Sequence, residues 1–315
     1  MRALVTAEFT ADGCRRLEAL GYEVVRAGWG VTRQALDREA YVRAAAGAQL
    51  LVTEIEVVDA AVLDRLPEVR VVATARGGPV NVDLDACAAR DIPVVHTPGR
   101  NADSVADFTL GLVLALCRGI AAGDRHLRRD GWHVDGELPY LHFRGPELAG
   151  RTLGLVGLGA VGSRVRTRAE HGFGMRVLFT DPHVEGGTPL EDLLAASDVV
   201  SLHCPRTPDT RGLLDARRLA LLRPSSYVVN TAGGGIVDED ALVDALEAGR
   251  LAGAALDVFA TEPLPAGSRL LTAPHLVLTP HLAGAADDVV RHHTDIICDA
   301  VERIAATGRQ VSSAG

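Results

Sequence analysis

Short apolar segments alternate with segments of helical periodicity along the first hundred residues. Arg2–Thr6 is a β-type apolar run, and Ala11–Leu20 has apolar residues at helical spacing before Gly21. The same alternation predicts further elements, namely strands Tyr22–Arg26, Gln49–Thr53, Val69–Ala73 and Pro93–His96 and helices Val58–Leu66 and Leu84–Ala89. Alternation of this kind predicts a parallel sheet with helices on both faces.

The middle of the chain interrupts this alternation. Thr97–Asn101 has turn chemistry, and Ala102–Ile120 is apolar nearly all round, which predicts a helix buried between two units. Residues 122–150 are polar and contain several glycines, so they predict an irregular arm or linker.

Strand and helix patterns resume after residue 150. Strands are predicted at Thr152–Gly157, Arg176–Thr180, Asp198–His203, Ser226–Asn230, Ala254–Phe259 and Leu276–Thr279. Helices between them are predicted at Ala160–His171, Leu190–Ala196, Ala216–Leu222 and Glu239–Ala248. A last helix, Ala285–Thr307, could return to the first domain and make that domain discontinuous. The whole chain is therefore predicted to be α/β.

Composition and charge narrow the functional classes. The 315 residues carry a net charge of −9, and all 32 basic residues are arginines. An acidic balance without a basic run argues against nucleic acid as a partner. The absence of lysine removes Schiff-base chemistry and a Walker-type phosphate lysine. No apolar run approaches the roughly 18 residues of a membrane span, so no membrane partner is predicted.

The chain has five cysteines, an odd number without a C-x-x-C pair, at Cys14, Cys87, Cys117, Cys204 and Cys298. A disulfide framework or a zinc site is therefore not expected, and no metal is predicted. This usage of cysteine favours the reducing cytoplasm.

A glycine-rich turn follows the first predicted strand of the second half. Gly157, Gly159 and Gly162 form G-x-G-x-x-G. The first glycine permits a tight turn, the second lets backbone approach a pyrophosphate, and the third lets the helix lie close to the strand. Asp181 ends the next strand, 19 residues after Gly162, where a carboxylate accepts a hydrogen bond from a ribose 2′-hydroxyl and repels a 2′-phosphate. The pattern predicts dinucleotide binding, with NAD favoured over NADP.

With these motifs the chain resembles the D-isomer-specific 2-hydroxyacid dehydrogenase family (phosphoglycerate dehydrogenase-like) over almost its whole length. The segments that carry the resemblance are Arg76–Asp83, Pro98–Asp107, Thr152–Val165, His203–Thr210, Val229–Glu239, Leu256–Pro263 and Thr279–Gly284. The resemblance implies a Rossmann NAD-binding domain at residues 101–285. It also implies a discontinuous, flavodoxin-like substrate domain at residues 1–100 and 286–315, with a cleft between the two domains. Family members are commonly homodimers joined through the NAD-binding domain, to which residues 122–150 would contribute.

The family's reaction is reversible hydride transfer between nicotinamide C4 and C2 of a 2-keto acid, which implies a small anionic substrate. Its catalytic set is an Arg, a Glu and a His. Carried onto this chain, the His is His281 and the Glu is Glu262, while Gly233 stands where the family pattern N-T-A-R-G has its Arg. A protonated imidazole can donate a proton to the developing alkoxide, and a carboxylate on its other nitrogen fixes the tautomer and favours the charged form.

The resemblance also assigns binding residues. The cofactor-binding positions are Gly157, Gly159, Ala160, Val161, Gly162, Asp181, His203, Cys204, Pro205, Thr210, Thr231, Ala232, Asp257, His281 and Gly284. The substrate-binding positions are Arg76, Gly77, Gly78 and Asn101. Cys204 stands beside a proline at a strand end, so we interpret it as a pocket wall and not as a nucleophile.

Glycine at position 233 leaves three explanations open. Another arginine, Arg76 or Arg100, supplies the charge. Alternatively, the substrate lacks a standard 2-keto carboxylate, and the Gly77–Pro79 turn holds an anion on backbone N–H groups. The third explanation is that Gly233 is an engineered change or a product of decay.

The leading functional hypothesis is an NAD-dependent 2-hydroxyacid dehydrogenase, or a close variant whose substrate specificity is altered or whose activity is reduced because the usual Arg is absent. The alternative is a non-catalytic NAD-sensing or interaction protein on the same fold, which the loss of the Arg favours and the retention of Glu262 and His281 opposes. A methyltransferase-type nucleotide fold would not explain the Glu262-Pro263 and Pro280-His281 strings.

Overall fold

Residues 1–307 of the chain, described here by a computed structural model, contain eleven strands and thirteen α-helices. Residues 1–101 contain β1 (Arg2–Val5), α1 (Ala11–Ala19), β2 (Glu23–Arg26), α2 (Trp29–Thr32), α3 (Arg38–Ala45), β3 (Leu50–Thr53), α4 (Ala60–Leu63), β4 (Val71–Thr74), α5 (Leu84–Ala88) and β5 (Val94–Val95). Residues 102–285 contain α6 (Ala102–Cys117), α7 (Ile120–Asp130), α8 (Pro139–His142), β6 (Thr152–Val156), α9 (Ala160–Phe173), β7 (Arg176–Thr180), α10 (Leu190–Ala196), β8 (Val199–Leu202), α11 (Ala216–Leu219), β9 (Tyr227–Asn230), α12 (Glu239–Glu247), β10 (Gly253–Leu256), a 3₁₀ turn (Arg269–Leu271) and β11 (Leu276–Leu278). The last element is α13 (Asp288–Thr307).

These elements form two units. One unit joins Met1–Asn101 to residues 286–307, and the other is Ala102–Ala285. The first unit is built on a parallel sheet in the order β2-β1-β3-β4-β5, the strand order of flavodoxin-like folds. Strands β3 and β4 are buried along their whole length, because a parallel sheet covered on both faces needs continuous apolar strands. The predicted α/β class with parallel sheets is confirmed.

Helix α13 packs in the first unit, beside α1. Arg16 of α1 pairs with Asp299 at 2.5 Å and with Glu302 at 2.8 Å. The Thr10 N–H donates to the Thr294 hydroxyl at 3.3 Å. Helices α1 and α13 therefore share one unit, although the 184 residues of the second unit lie between its two segments in sequence.

The second unit is built on a six-stranded parallel sheet in the order β11-β10-β9-β8-β6-β7. Helix α6 covers this sheet and contributes Ala106, Leu110 and Val113 to a buried cluster that includes Leu153 and Leu155 of β6. The strand order reverses between β6 and β8, which is the switch point where doubly wound sheets bind ligands. Because all six strands run in the same direction, the loops that follow them emerge at one edge of the sheet.

The secondary structure of residues 122–150 differs from the prediction. Helix α8 lies within this segment, and most of α7 overlaps its beginning. The prediction of an irregular arm or linker was therefore wrong for the residues of these two helices. Gly119 has a φ of +63°, which ends the preceding helix at Cys117 instead of the predicted Ile120 and lets α7 begin. Helix α7 buries none of its residues, so its polar composition resembles that of a loop. The sequence pattern also does not predict helices α2 and α3; the Asp37 carboxylate caps α3 by accepting from the Ala40 N–H at 2.8 Å.

Three further properties concern residues 1–307. No single helix there has both the length and the apolar composition to span a membrane; α6 and α7 reach those limits only as a pair, and they are bent by 58°. No group of three or more His, Cys, Asp and Glu side chains in that range is arranged to hold a metal ion. All five cysteines are free thiols.

Candidate functional site

The three glycines of the G-x-G-x-x-G motif, called here the fingerprint turn, each meet a different steric demand. Gly157 has a φ of +97°, and a Cβ on it would lie 2.7 Å from the backbone nitrogen of Cys204. A Cβ on Gly162 would lie 2.2 Å from the Gly157 carbonyl oxygen, so α9 lies too close to β6 for a side chain. Within the described residues nothing lies within 4 Å of a Cβ built on Gly159, so this backbone faces open space. The open backbone beside a helix end fits the pyrophosphate of a dinucleotide.

Helix α9 supplies the N–H groups of this turn. Ala160 and Val161 are its first two residues, and N–H groups in the first turn of a helix have no intrahelical acceptor. Gly159 at the N-cap has no side chain to bond them. The positive end of the dipole of this 14-residue helix lies at the same point, where it would stabilise a bound anion.

Asp181 follows β7 and is joined to the fingerprint turn. Its carboxylate accepts hydrogen bonds from the Leu158 N–H at 2.7 Å and from the His183 N–H at 2.8 Å. The bond from Leu158, with that from His183, lowers the pKa of Asp181 against the opposing effect of burial. Asp181 is therefore a fixed anion beside the glycines, which fits a ribose diol and disfavours a 2′-phosphate.

The loop after β8 places His203 and Cys204 against the fingerprint. Burial lowers the pKa of His203 to about 3, so its ring is neutral, and Nε2 lies 2.9 Å from the Ser201 hydroxyl. Burial raises the pKa of the Cys204 thiol, which agrees with a pocket wall and not with a nucleophile. The Thr210 hydroxyl donates to the Pro205 carbonyl at 2.7 Å and thereby closes the loop on itself.

The turn after β9 is held by the Asn230 side chain. Its Oδ1 accepts from the N–H groups of Ala232 and Gly233 at 3.0 and 3.4 Å, and its amide nitrogen donates to the Gly233 carbonyl at 3.0 Å. The buried Thr231 hydroxyl lies 2.9 Å from that of Thr109. The backbone at position 233 is therefore fixed without any contribution from a side chain there.

Glu262 and His281 form the carboxylate–imidazole pair. The Nδ1–H of His281 donates to Glu262 Oε2 at 2.8 Å, and the Phe259 N–H donates to Glu262 Oε1 at 3.0 Å. Burial acts to raise the pKa of Glu262, but the hydrogen bonds from His281 and Phe259 and the charges of His281 and Arg206 outweigh it and hold the pKa below its usual value. The His281 side chain is 63% exposed, so the ring is oriented by an ionised carboxylate and remains accessible.

Asp257 holds the loop that carries His281. Its fully buried carboxylate accepts hydrogen bonds from the N–H groups of Leu282 and Ala283, both at 2.8 Å, and from the Thr279 hydroxyl at 2.6 Å. The His281 N–H donates to the Asp257 carbonyl at 2.9 Å. These bonds position the loop, a function that sequence reasoning missed when it assigned Asp257 to the cofactor.

A sequence signal for this role did exist. Asp257 directly follows the apolar strand β10, and a buried carboxylate at such a place must find hydrogen-bond donors nearby. Which donors it finds depends on the loop after β11, where Ala283 is buried and Gly284 is half-buried. The cofactor contacts predicted for Asp257 and Gly284 stay predictions.

The predicted substrate-binding residues lie in the first unit. Arg76 follows β4, is partly exposed, and donates to the Glu54 carbonyl at 3.4 Å. Gly77 and Gly78 are exposed, and the Gly77 carbonyl accepts from His96 Nδ1 at 2.9 Å. This arrangement leaves the backbone of the turn accessible.

Arg100 has its guanidinium bound within the first unit. It pairs with Glu54 at 3.1 Å and donates to His293 Nδ1 at 2.9 Å, and only 21% of its side chain is exposed. Asn101 is the last residue of this segment of the unit. An arginine bound in this way is a poor replacement for one that must meet a substrate carboxylate.

Comparison with known proteins shows which family and which folds this chain is similar to. Residues 110–283 match the family model described as D-isomer specific 2-hydroxyacid dehydrogenase, NAD binding domain. The glyoxylate reductase of Thermofilum pendens is 41% identical over 239 residues, which cover 72% of this chain and 69% of the relative. The crystal structure of TT0316 protein from Thermus thermophilus superposes with a TM-score of 0.80 at 37% identity and covers 98% of both chains.

A further relative is longer than this chain. The D-3-phosphoglycerate dehydrogenase of Mycobacterium tuberculosis is 42% identical over 257 residues, which are 78% of this chain but 47% of the relative. The chain therefore spans about half the length of that relative. The family-model match, the identities and the shared fold together confirm the resemblance, and the chain belongs to the D-isomer-specific 2-hydroxyacid dehydrogenases, a family of oxidoreductases with an NAD-binding domain.

Proposed function

We propose that this protein catalyses reversible hydride transfer between NAD and a small 2-hydroxyacid or 2-keto acid. The observation that carries the proposal is the 2.8 Å bond between Glu262 and His281, at the sheet edge that also bears the fingerprint turn. NAD, when bound, supplies or accepts the hydride. Residues 101–285 act as the NAD-binding domain, and residues 1–100 and 286–315 act as the substrate domain.

Glu262 and His281 together carry out the proton transfer of this reaction. Reduction of a ketone develops negative charge on oxygen, and the protonated ring of His281 donates its proton there; the neutral ring removes it during oxidation. Glu262 stays ionised at neutral pH because its pKa is lowered, so it stabilises the charged ring and fixes the Nδ1–H tautomer. Asp257 keeps the loop in place throughout.

We propose NAD as the preferred cofactor and a small carboxylate as the substrate. Asp181 supports the first proposal, since an ionised carboxylate that is fixed beside the glycine turn repels the 2′-phosphate of NADP. Arg76, the Gly77–Gly78 turn and Asn101 are proposed to contact the substrate. The exposed amides of that turn support this role.

The activity is tested with purified protein, NADH and a panel of 2-keto acids that includes glyoxylate and hydroxypyruvate. NADH oxidation is expected with at least one of them. Replacing His281 by Gln should lower kcat by about 10²–10⁴-fold, because the proton donor is lost, while NADH binding followed by fluorescence stays unchanged. Binding of NADH without oxidation of any panel member would contradict the proposal.

We also propose that the protein is a homodimer joined through the second unit. The segment of α7 and α8 exposes a set of large apolar side chains, namely Ile120, Leu127, Trp132, Leu138, Tyr140 and Leu141. Clustered exposed apolar residues are typical of protein–protein interfaces. Sedimentation should show a dimer that L127E converts to monomer, whereas L271E, at an exposed leucine elsewhere, should leave it intact.

A cytoplasmic location is proposed on the chemistry of the cysteines. All five thiols are free, which suits a reducing compartment. Thiol titration of the freshly isolated, denatured protein should find all five without prior reduction.

A further inference from the structure

The backbone does not require glycine at position 233. Gly235 in the same turn has a φ of +79°, which favours glycine, whereas the φ of Gly233 lies outside the left-handed region. The bonds from Asn230 hold this part of the turn whatever residue stands there. Backbone conformation therefore does not explain why glycine stands at position 233.

Arg206 occupies the space beside Gly233. A Cβ built on Gly233 would lie 3.1 Å from the Cβ of Arg206 and 3.4 Å from Cδ1 of Ile236. A contact of 3.1 Å is tighter than ordinary van der Waals packing, so a side chain at 233 would require the stem of Arg206 to shift by a few tenths of an ångström. The two positions are 27 residues apart in the chain, yet side chains at both would be in direct contact.

The guanidinium of Arg206 is free to bind a ligand. The residue is exposed, and among residues 1–307 no hydrogen bond or ion pair links its side chain to another group. By contrast, Arg100 is held by Glu54 and His293. Arg223, on the surface of the same unit as Arg206, likewise has a partner, since it pairs with Asp198 at 3.1 Å.

Arg206 lies at the same edge of the sheet as the catalytic pair. The loops that carry Arg206, Gly233 and Glu262 follow the adjacent strands β8, β9 and β10. The turn after β9 packs directly on the next loop, since a Cβ on Gly234 would lie 1.7 Å from the Phe259 carbonyl oxygen. The positive charge of Arg206 contributes to the lowered pKa of Glu262.

We propose that Arg206 binds the carboxylate of the substrate and supplies, from the loop after β8, the cationic group that the family pattern places at position 233. The inference rests on the proposed function and concerns its substrate class, a carbonyl compound with an adjacent carboxylate. A guanidinium presents paired donors that match a carboxylate in two parallel hydrogen bonds. Glycine at 233 makes room for this relocated arginine.

The first test compares R206Q and R206K with R211Q, which changes an exposed arginine farther along the same loop. For reduction of glyoxylate, R206Q should lower kcat/KM by about 10²-fold, mostly through KM, because a charged donor pair is lost. R206K should retain part of the activity, and R211Q should remain within about twofold of the wild type. NADH affinity should be unchanged in all three variants. A loss in R211Q equal to that in R206Q, or no loss in R206Q, would overturn the inference.

The second test exchanges the two positions. G233R alone should give no gain in kcat/KM, because its stem meets Arg206, whereas R206A/G233R should recover about tenfold or more of the activity lost in R206A. A strong gain in G233R with Arg206 intact would show that Arg206 does not perform this role.

Calorimetric titration of the NADH-saturated protein with oxamate separates this inference from the proposed function. The wild type and R211Q should bind oxamate, and R206Q should bind it about tenfold or more weakly. If the wild type reduces none of the keto acids, the proposed function fails, while loss of oxamate binding in R206Q still supports the inference. Failure of the wild type to bind oxamate, or equal binding by R206Q, would refute it.

Discussion

A backbone hydrogen bond joins Asp257 to His281, the residue that carries the catalytic ring. The His281 N–H donates to the Asp257 carbonyl at 2.9 Å, and His281 has a φ of +55°, a left-handed conformation that is uncommon for residues other than glycine. Such a conformation costs on the order of 1–3 kcal/mol and persists only where surrounding bonds determine it. Here those bonds are the ones that the Asp257 carboxylate accepts from Leu282 and Ala283. The ring is therefore pre-positioned by a buried aspartate that need not touch the substrate.

Replacing Asp257 by Asn should disorder this loop. An amide offers one acceptor oxygen instead of two, so the N–H of Leu282 or Ala283 faces a donor and loses its bond, at about 1–3 kcal/mol of folding stability. We expect a lower midpoint of thermal unfolding and a reduced kcat. T279V, which removes only the hydroxyl bond to Asp257, should have the smaller effect on both quantities. D257N with wild-type stability and kcat would contradict this account.

Replacing Glu262 by Gln should lower kcat for keto-acid reduction by about 10–10²-fold. The amide can still accept a hydrogen bond but carries no charge to stabilise the protonated ring of His281. The alkaline limb of the pH–rate profile should consequently move to lower pH. E239Q is the matched control, since Glu239 accepts from the Ala260 N–H at 2.6 Å and is not paired with His281. A pH profile that is unchanged in E262Q would argue against an electrostatic role for this carboxylate.

Replacing Asp181 by Ala should relax cofactor discrimination. The ratio of kcat/KM for NADH to that for NADPH should fall by about tenfold or more, because the charge that repels the 2′-phosphate is gone. NADH itself should bind more weakly through loss of a hydrogen-bond acceptor. D192N, at an exposed acid on α10, should keep the wild-type ratio. Equal ratios in D181A and the wild type would remove the basis for the NAD preference.

Folding stability should decrease as the pH falls from neutrality toward 5. Burial lowers the pKa of His203 to about 3 and also lowers the pKa of His293, whereas both histidines titrate near 6.5 in the unfolded chain, about the unperturbed value. Below about pH 6.5 the unfolded chain therefore binds more protons than the folded chain, and protonation favours unfolding. The stabilising contribution is complete above about pH 6.5, and for His203 it is lost progressively as the pH falls toward 3.

Urea unfolding between pH 7.5 and 5.0 measures this slope. H203N should give a flatter dependence of the unfolding free energy on pH, because one of the two buried rings no longer titrates in the unfolded chain. H171Q, at an exposed histidine of α9, should reproduce the wild-type slope. Identical slopes in H203N and the wild type would rule out His203 as a source of the pH dependence.

Most of the fold was predictable because its signals are local. Strand β7 and helix α10 have the predicted bounds, Arg176–Thr180 and Leu190–Ala196, since apolar periodicity and glycine breaks mark such elements directly. Helix α7 was missed because its composition is mostly polar and it buries no residue, so its segment resembles a loop. The candidate site was predictable from the sequence for a related reason. In a parallel sheet the residues that follow successive strands meet at one edge, and this made a pairing of Glu262 with His281 predictable.

The sequence by itself determined the alternating α/β architecture, the glycine turn with its acidic partner Asp181, and the residue types of the catalytic pair. Only the tertiary structure decided which groups those residues meet. It bound the guanidinium of Arg100 to Glu54 and His293, it turned the Asp257 carboxylate toward the His281 loop, and it set Arg206 beside Gly233. Backbone periodicity and turn chemistry act over a few neighbouring residues, whereas these contacts join positions up to 193 residues apart, and only the packed chain brings them within bonding distance.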